Sequence, residues 1–198
     1  MSDLSTNNIE RHPLQPFLPP DARLLMLGSF PPPKKRWCMD FFYPNRSNVM
    51  WEVFGQVFFG DPLRLVDTEH KTFRKEDIER LLCQKGIAIY DTARAVIRLQ
   101  GNASDKYLQV VEKTDLVELL AHIPLCHDVV CTGQKSAETL CDDYHVALPA
   151  IGQHSDPFLI GDRSMSLHRL PSTSRAYPLP LVEKARQYER LFRTLEII

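Results

Sequence analysis

The amino-acid sequence predicts an α/β protein, built as a three-layer α/β/α sandwich around a central, mostly parallel sheet. Short apolar runs with the composition of buried strands alternate along the 198 residues with segments whose apolar residues recur at helical spacing. This alternation favours parallel strands that are joined by right-handed helical crossovers. A hydrophobic content of 43% and a charged content of 25% are typical of a globular rather than a disordered chain.

The chain is predicted to divide into a lead-in and one domain. Residues 1–22 are polar and then rich in proline, which predicts an extended segment that lies over the surface. Residues 23–198 contain no linker and no internal repeat, and their length is within the range of one compact unit. We therefore expect a single α/β domain over residues 23–198.

The strands are predicted from apolar runs, and the helices from apolar spacing and capping residues. Strands are expected at 23–27 (ending at Gly28), 87–90 (closing on Asp91), 128–132, near Ala147 and at 166–170. Helices are expected from Ser47 or Asn48 to about residue 57, and at 77–85, 114–122, 133–144 and 180–195. Residues 61–77 have no assigned structure, and 94–113 are predicted to be a long loop with its turn at 101–105.

Several function classes are disfavoured by what the sequence lacks. The five cysteines are odd in number and form no Cys-x-x-Cys pair, so we expect buried free thiols and no metal. There is no P-loop, no Gly-x-Gly-x-x-Gly after the first strand and no nucleophile elbow, and we expect no cofactor. No signal pattern or membrane-spanning run occurs, which predicts a cytoplasmic protein without membrane contact. With a net charge of −1, any contact with nucleic acid depends on local basic clusters.

Two segments near the first strand could carry chemistry. In Gly28-Ser29-Phe30-Pro31, successive backbone amides at a strand end can point at a carbonyl or an anion, although a structural turn is the alternative. The aromatic residues 41–43 can offer a stacking face for a planar ring, because all three cannot easily be buried in an irregular segment. Packing onto the core is the alternative for each of them. Asn48 carries a donor and an acceptor at a helix start, where a helix cap is the alternative.

A third segment lies near the C-terminal end of the sequence. Residues 172–174 carry three small hydroxyls between Arg169 and Arg175, and this combination can bind a phosphodiester. Taken singly, each of these serines and threonines is a common turn residue.

Seen together and in this order, these segments resemble the uracil-DNA glycosylase superfamily, and most closely its hypoxanthine-type and mismatch-type members. Residues 27–31 match the first motif of that family, residues 44–51 match its aromatic loop and helix start, and residues 170–174 match its second motif. The resemblance spans most of residues 23–195. The sequence departs from the family in the longer spacing between Pro44 and Asn48, in residues 174–177, and at two positions of the motifs. Phe30 stands where the uracil enzymes have the Asp or Asn that orients water, and Leu170 stands where they often have His or Asn.

The resemblance implies a base-excision repair enzyme that hydrolyses the N-glycosidic bond of a deaminated base, hypoxanthine or uracil, flipped out of DNA. It implies a monomer with neither metal nor cofactor, acting in the cytoplasm and on the nucleoid of a prokaryote. The hypoxanthine-type branch uses an Asn at the start of the helix after the first motif, and Asn48 matches that position. The implied site residues are Asn48 (catalytic), Gly28, Ser29, Phe30 and Phe42 (base binding), and Pro171, Ser172, Thr173, Ser174 and Arg175 (DNA-backbone binding).

Three other functions remain open at the level of sequence. The departures at Phe30 and Leu170 allow a DNA-binding protein that keeps the fold but has lost catalysis. A hydrolase or transferase of free nucleosides would need a closed pocket and no phosphate contacts, which the basic residues around both motifs disfavour. A plain interaction domain is compatible with the near-neutral charge but gives no reason for the two motifs to occur together.

Overall fold

The computed structural model describes residues 9–99 and 105–198. Its ten strands over these residues are β1 (Ile9–Arg11), β2 (Leu24–Gly28), β3 (Val66–Asp67), β4 (Thr72–Phe73), β5 (Ile87–Asp91), β6 (Ala93–Arg98), β7 (Leu108–Lys113), β8 (Asp128–Cys131), β9 (Phe158–Ile160) and β10 (Arg163–Arg169). Its helices there are α1 (Met50–Phe59), α2 (Lys75–Lys85), α3 (Leu116–Ala121), α4 (Gln134–Tyr144) and α5 (Leu181–Thr194).

The central sheet has five strands in the order β5-β2-β8-β10-β9. Strands β5, β2, β8 and β10 pair in parallel, and β9 pairs antiparallel with β10 at one edge. Every residue of β2 and of β5 is buried, which is why their sequences are continuous apolar runs rather than alternating ones. The predicted α/β class, with a central sheet and helices, is confirmed.

A second sheet replaces the loop that the sequence predicted over residues 94–113. Strands β6 and β7 form an antiparallel pair, and β1 pairs with the other edge of β6. The prediction was wrong because the alternation is interrupted: the register shifts near Arg94, and Val111 on β7 is exposed although it is apolar. Of the turn predicted at 101–105, only Asp105 lies within the described residues.

The lead-in is partly integrated into the fold. Residues 9–11 form β1, and Phe17 bridges Ile89 of β5 through two backbone hydrogen bonds of 2.9 and 3.0 Å. The part of the lead-in from residue 9 onward therefore pairs with both sheets rather than only lying over them. The division of the chain at residue 22 stays a prediction.

Two further strand assignments differ from the prediction. The segment around Ala147 forms no strand, because its apolar residues Leu148 and Ile151 are exposed rather than packed on a sheet. Instead β9 pairs with the first residues of β10, so the last strand begins at Arg163 rather than at Ser166. A short hairpin, β3 and β4, lies within residues 61–77, for which the sequence predicted no structure.

The helices lie close to where capping residues predicted them. Helix α2 ends at Gly86, whose φ of 64° and ψ of 43° are the left-handed conformation that glycine adopts freely. The Asp115 carboxylate accepts a hydrogen bond from the Glu118 amide at 3.0 Å and caps α3. The predicted helices after Gly133 and Pro180 are present as α4 and α5.

The core between α1 and α5 is aromatic. Phe54 and Phe58 of α1 pack against Phe192 of α5 with ring centroids 5.6 and 5.3 Å apart, and Tyr188 packs on the same Phe192 ring. Edge-to-face and stacked pairs of this kind add to the free energy gained by burial alone. This contact holds α5 beside α1, and both helices support the loops described below. Over the described residues no helix has the length and apolarity that crossing a bilayer demands.

Replacing Phe192 by Ala should lower the free energy of unfolding by about 3–5 kcal/mol, because it removes a fully buried ring and leaves a cavity between α1 and α5. Val182→Ala, at a residue of the same helix that is 52% exposed, should change it by less than about 0.5 kcal/mol. Urea unfolding followed by circular dichroism measures both. Equal destabilisation by the two variants would contradict the assigned packing.

Candidate functional site

A cleft of about 880 Å³ lies where the parallel strands end. Gly28, Asp91, Thr132 and Leu170, which end or directly follow β2, β5, β8 and β10, all line it. The carboxyl ends of parallel strands meet at one edge of a sheet, and ligands bind there in open α/β folds. The cleft therefore stands where the strand order predicts a binding site, and both sequence motifs contribute to it.

The two motif-bearing loops are joined by a short antiparallel contact, here named the loop bridge (residues 47–49 with 173–175). The Val49 amide donates to the Thr173 carbonyl, and the Arg175 amide donates to the Ser47 carbonyl, both at 2.9 Å. Asn48 and Ser174 are paired between these two bonds. The loop bridge thus brings Asn48 next to the second motif, although the two segments are far apart in sequence.

Helix α5 also fixes the second motif, through two side-chain hydrogen bonds. The Lys184 ammonium of α5 donates to the Ser174 carbonyl at 2.7 Å, and the Tyr188 hydroxyl donates to the Pro171 carbonyl at 3.3 Å. Lys184 is almost completely buried, and desolvation, followed by the nearby charge of Arg175, lowers its pKa. Helix α5 therefore fixes the backbone of this turn.

Arg175 and Glu52 form the third support of this turn. The Arg175 guanidinium donates to the Glu52 carboxylate at 3.0 Å and to the Arg46 carbonyl at 3.1 Å. Glu52 is nearly buried on α1, and burial raises its pKa against the opposing effect of Arg175. The second carboxylate oxygen of Glu52 is buried without a hydrogen-bond partner among the described residues. Arg175 is consequently a structural ion-pair partner as well as a cleft residue.

The first motif places two free amides in the cleft. The Gly28 and Ser29 carbonyls accept hydrogen bonds from the Thr92 and Ala93 amides, which fixes the turn. Among the residues that the structure describes, the amides of Ser29 and Phe30 donate to no other group. Both residues line the cleft. Two adjacent unpaired amides are suited to accept a carbonyl or an anionic oxygen.

Phe30 lines the cleft but faces a small core of its own. Its ring is 7% exposed and packs with Ala93 and Val96, with the Arg98 guanidinium 5.6 Å above it. The edge of the His12 imidazole meets the same ring at a centroid distance of 5.3 Å. Phe30 therefore forms an apolar wall of the cleft.

The aromatic segment is more buried than the sequence indicated. Phe41 and Phe42 are both core residues, and only Tyr43 is half-buried. Two of the three are thus buried, and Trp51 helps to bury them, because it packs against the Phe41 and Tyr43 rings and donates from its indole nitrogen to the Phe42 carbonyl. Phe42 still lines the cleft with the 3% of its surface that is exposed. Its stacking on a base stays a prediction.

Tyr43 contributes a polar group to the cleft floor. Its hydroxyl lies 2.8 Å from the Thr132 hydroxyl, at the end of β8. Burial, followed by the negative charge of Asp91, raises the Tyr43 pKa well above its usual range. The phenol is therefore neutral at physiological pH and is available as a donor or an acceptor.

Asn48 lines the cleft and also supports a helix. Its side-chain oxygen accepts a hydrogen bond from the Met50 amide, the first residue of α1, at 3.0 Å. The N-cap residue of α1 is Val49, so Asn48 supports the helix start from the residue before the cap. An amide oxygen has two lone pairs and the amide nitrogen has two N–H groups, so one acceptor site and two donors remain for a ligand.

Three of the five residues predicted to bind the DNA backbone line the cleft: Ser172, Ser174 and Arg175. Pro171 and Thr173 do not, and both are buried. The Thr173 hydroxyl is enclosed without a hydrogen-bond partner among the described residues, and its carbonyl belongs to the loop bridge. Pro171 and Thr173 shape the turn, and their contact with the DNA backbone stays a prediction that we leave out of the proposed phosphate contacts.

The structure adds residues that were not among the predicted site residues. Asp91, His12 and Asp105 lie at or beside the first motif, where His12 donates to Asp91 at 2.8 Å. Asp105 is exposed as a residue, yet desolvation of its carboxyl raises its pKa against a hydrogen bond from Ser29. The position of Asp91 directly after a buried strand was the available signal. Five cationic side chains also line the cleft: Arg36, Lys106, Lys135, Arg169 and Arg175. Within the described ranges no group of His, Cys, Asp and Glu could hold a metal ion.

Arg175→Ala should lower the free energy of unfolding by about 1–2 kcal/mol, since it leaves the nearly buried Glu52 carboxylate without its cation. The loss is smaller than for a fully buried pair because 56% of the Arg175 side chain is exposed to screening solvent. Urea unfolding of this variant is compared with Arg186→Ala, which breaks an exposed pair with Glu183 on α5 and should cost less than about 0.5 kcal/mol. Equal stability of the two variants would show that Arg175 supports nothing.

Comparisons with known proteins agree with this architecture. No family model matches the chain, and no curated protein matches it either. Among solved structures, the chain is similar to the solution NMR structure of a "putative Uracil DNA glycosylase" from Methanosarcina acetivorans. The two chains are 21% identical, the similarity covers 95% of this chain and 99% of the other, and the TM-score is 0.61. The likeness spans almost the whole of both chains and shows that they share a fold.

Proposed function

We propose that this protein is a monofunctional DNA glycosylase that hydrolyses the N-glycosidic bond of a deaminated base, hypoxanthine or uracil, flipped out of DNA. One observation carries the proposal: the loop bridge sets Asn48 beside Ser174, and both line the same cleft as Ser29 and Phe30, whose amides donate to no group among the described residues. The name of the M. acetivorans neighbour supports the same reaction class.

The cleft suits a base that has left the duplex. A base has to be flipped out before an enzyme can act on it, and this costs least for a damaged or mismatched base. The amides of Ser29 and Phe30 would receive its carbonyl oxygen and take up the negative charge that develops as the glycosidic bond breaks. Donors aligned in advance in this way can each lower the barrier by about 3–4 kcal/mol. Because hydrogen bonds fix the Gly28 and Ser29 carbonyls, the turn holds the amides of Ser29 and Phe30 in place.

Asn48 supplies the side-chain contact to the base or to water. Its oxygen is oriented by the Met50 amide, so its N–H groups are held in one direction without a further ligand. A polar group that is fixed before the ligand binds loses little entropy on binding. Asn48 therefore either bonds the edge of the flipped base or orients the attacking water.

The contacts to the DNA backbone come from the cleft rim. The hydroxyls of Ser172 and Ser174 already accept hydrogen bonds from the Ser174 and Ala176 amides, and each keeps an O–H donor for a phosphate oxygen. The cations Arg36 and Lys135 line the same cleft. This local cluster gives a protein of net charge −1 a surface for a polyanion.

The proposal also covers the arrangement of the layers, the oligomeric state, the cellular location and the partner. The helices are placed as the two outer layers of an α/β/α sandwich with a mostly parallel sheet, which the packing of α2 on β5 and of α4 on β8 supports. The protein acts as a monomer without metal or cofactor, in the cytoplasm and on DNA. Its partner is DNA that contains a deaminated or mismatched base.

A second candidate function is a DNA-binding protein that has lost catalysis. The observation that favours it is Phe30, whose buried ring replaces the side chain that would orient water in the uracil enzymes. Such a protein would bind lesion-bearing DNA and leave the base attached. The two functions differ in whether an abasic site forms.

Asn48→Ala should slow single-turnover release of the base by about 100-fold or more, the loss that follows removal of one well-placed donor. Asn48→Ser serves as the matched variant, because serine can keep the contact with the Met50 amide but is too short to reach a base. Both variants should lose activity, and only the alanine variant should lose about 1 kcal/mol of stability. Release of hypoxanthine or uracil at the wild-type rate by either variant would remove Asn48 from the mechanism.

Arg36→Ala and Lys135→Ala should each reduce the slope of log Kd against log salt concentration by about 1, because each removes one phosphate contact and its released counterion. Binding should weaken to a similar extent for all DNA sequences. Arg190→Ala, at an exposed position of α5 outside the cleft, is the control and should leave the slope unchanged. Fluorescence anisotropy over a salt series measures the slopes, and identical slopes for all proteins would rule out this rim as the phosphate contact.

A further inference from the structure

A buried carboxylate stands beside the first motif without a structural explanation. The parallel register pairs Gly28 with Asp91, so the two residues sit side by side at the ends of β2 and β5. Asp91 lines the cleft, and only 9% of its side chain is exposed. Burying a charged group is unfavourable unless it has partners, so the hydrogen bonds of this carboxylate can be examined one by one.

One oxygen of the Asp91 carboxylate is fully engaged. His12 donates from Nε2 to Asp91 Oδ2 at 2.8 Å, and the exposed fraction of the His12 side chain is 2%. The other ring nitrogen, Nδ1, lies 3.0 Å from the Leu14 carbonyl oxygen and 3.2 Å from the Leu14 amide nitrogen, so both ring nitrogens are held by polar partners. The imidazole is packed against the Phe30 and Tyr90 rings. His12 therefore fixes the orientation of the carboxylate.

The other oxygen is free and faces the first motif. Over residues 9–99 and 105–198, Asp91 Oδ1 receives no hydrogen bond. A Cβ atom added to Gly28 would lie 2.2 Å from this oxygen and 3.4 Å from the Tyr43 hydroxyl. Asp91 Oδ1 thus occupies the space that any other residue at position 28 would fill. The glycine leaves room for a carboxylate oxygen between the free amides of the turn and the Tyr43 phenol.

A second His–Asp pair, His168 Nε2 with Asp128 Oδ1 at 2.7 Å, lies at the start of β8 and does not line the cleft. Asp128 is paired with the first residue of β2, whereas Asp91 is paired with the last, so the two pairs sit at opposite ends of the strands. Of these two pairs, the one with Asp91 lines the cleft and has a carboxylate oxygen without a hydrogen bond from the described residues.

We propose that Asp91 is a catalytic residue of the glycosidic hydrolysis and that His12 is its positioning residue. The proposal rests on the proposed function and deepens it. Asp91 Oδ1 takes the place of the side chain that Phe30 lacks, reached from the neighbouring strand rather than from the first motif itself. Because Asp91 binds the attacking water in this proposal, the side-chain amide of Asn48 bonds the edge of the base.

The reaction balances with these groups. The bond between C1′ of the deoxyribose and the base nitrogen breaks, and its electron pair leaves with the base as an anion. The oxygen of a water molecule held by Asp91 Oδ1 forms the new bond to C1′, and one proton of that water passes to the carboxylate. This proton then passes to the departed base, directly or through solvent, and Asp91 is again ionised. General base catalysis of this kind contributes about 10²–10⁴-fold.

Asp105 is the competing carboxylate in the cleft. Desolvation raises its pKa, and its carboxyl already shares a hydrogen bond with the Ser29 hydroxyl. A higher pKa makes an ionised carboxylate a stronger base, so the pKa does not decide between the two groups, but the carboxyl of Asp105 is already engaged by Ser29. Nothing comparable to His12 is hydrogen-bonded to Asp105 among the described residues. The geometry therefore favours Asp91.

The test compares Asp91→Asn with Asp128→Asn in single-turnover assays on oligonucleotides that carry hypoxanthine or uracil. Both variants remove one charge from a His–Asp pair, at 2.8 Å for Asp91 and 2.7 Å for Asp128, and the urea unfolding of each variant is measured because Asp91 is the more buried of the two carboxylates. We expect Asp91→Asn to slow base release by at least 100-fold with its Kd for the DNA changed less than threefold, and Asp128→Asn to keep the wild-type rate. The wild-type rate should fall on the acid side of its pH profile, and Asp91→Asn should lose that limb.

The outcomes separate this proposal from the one on which it rests. If wild-type protein releases the base and Asp91→Asn does so at the same rate with the same pH profile, the role of Asp91 is overturned and the glycosylase function stands. If wild-type protein releases no base from any lesion, both fail. Should Asp91→Asn not fold, His12→Gln is measured instead. It should slow base release by about tenfold or more and shift the acid limb, and an unchanged limb would overturn the proposal.

Discussion

The site depends on the loop bridge, because neither of the two loops is part of a regular element where they meet. Two backbone hydrogen bonds of 2.9 Å, one on each side of the Asn48–Ser174 pair, hold the helix start against the second motif. Lys184 and Tyr188 of α5 and the Glu52–Arg175 pair fix the second motif from behind. Since α5 is itself packed on α1 through aromatic rings, the aromatic core between these helices also fixes the geometry of the cleft.

The other wall of the cleft is set by the register of two parallel strands. Pairing Gly28 with Asp91 brings a carboxylate against a residue without a side chain, and the packing of His12 holds that carboxylate in place. His12 belongs to the lead-in, next to β1. The lead-in therefore supplies a side chain that orients a cleft residue, in addition to its pairing with the sheets.

The strand and helix order, and the two loops that form the cleft, could be predicted from local sequence, because buried parallel strands are continuous apolar runs and Gly86 and Asp115 mark helix ends. The pair β6 and β7 could not, since Arg94 at a register shift and the exposed Val111 break the alternation. The sequence placed Asn48, Ser172 and Ser174 in the site. No local pattern contains the tertiary contacts that bury Phe42 beside Trp51 and Thr173 beside residue 49. The same holds for the pairing of His12 with Asp91, which depends on the position of Asp91 next to β2.

The most direct test of the account is the release of bases from a panel of duplex and single-stranded oligonucleotides. Each carries one hypoxanthine, uracil or xanthine, or no lesion, and abasic sites are detected by alkaline strand cleavage after incubation with excess protein. The account predicts abasic sites in at least one of the hypoxanthine and uracil substrates and none in the unmodified DNA. Tight binding to all lesion substrates without any abasic site would contradict it, and would assign the cleft to recognition without catalysis.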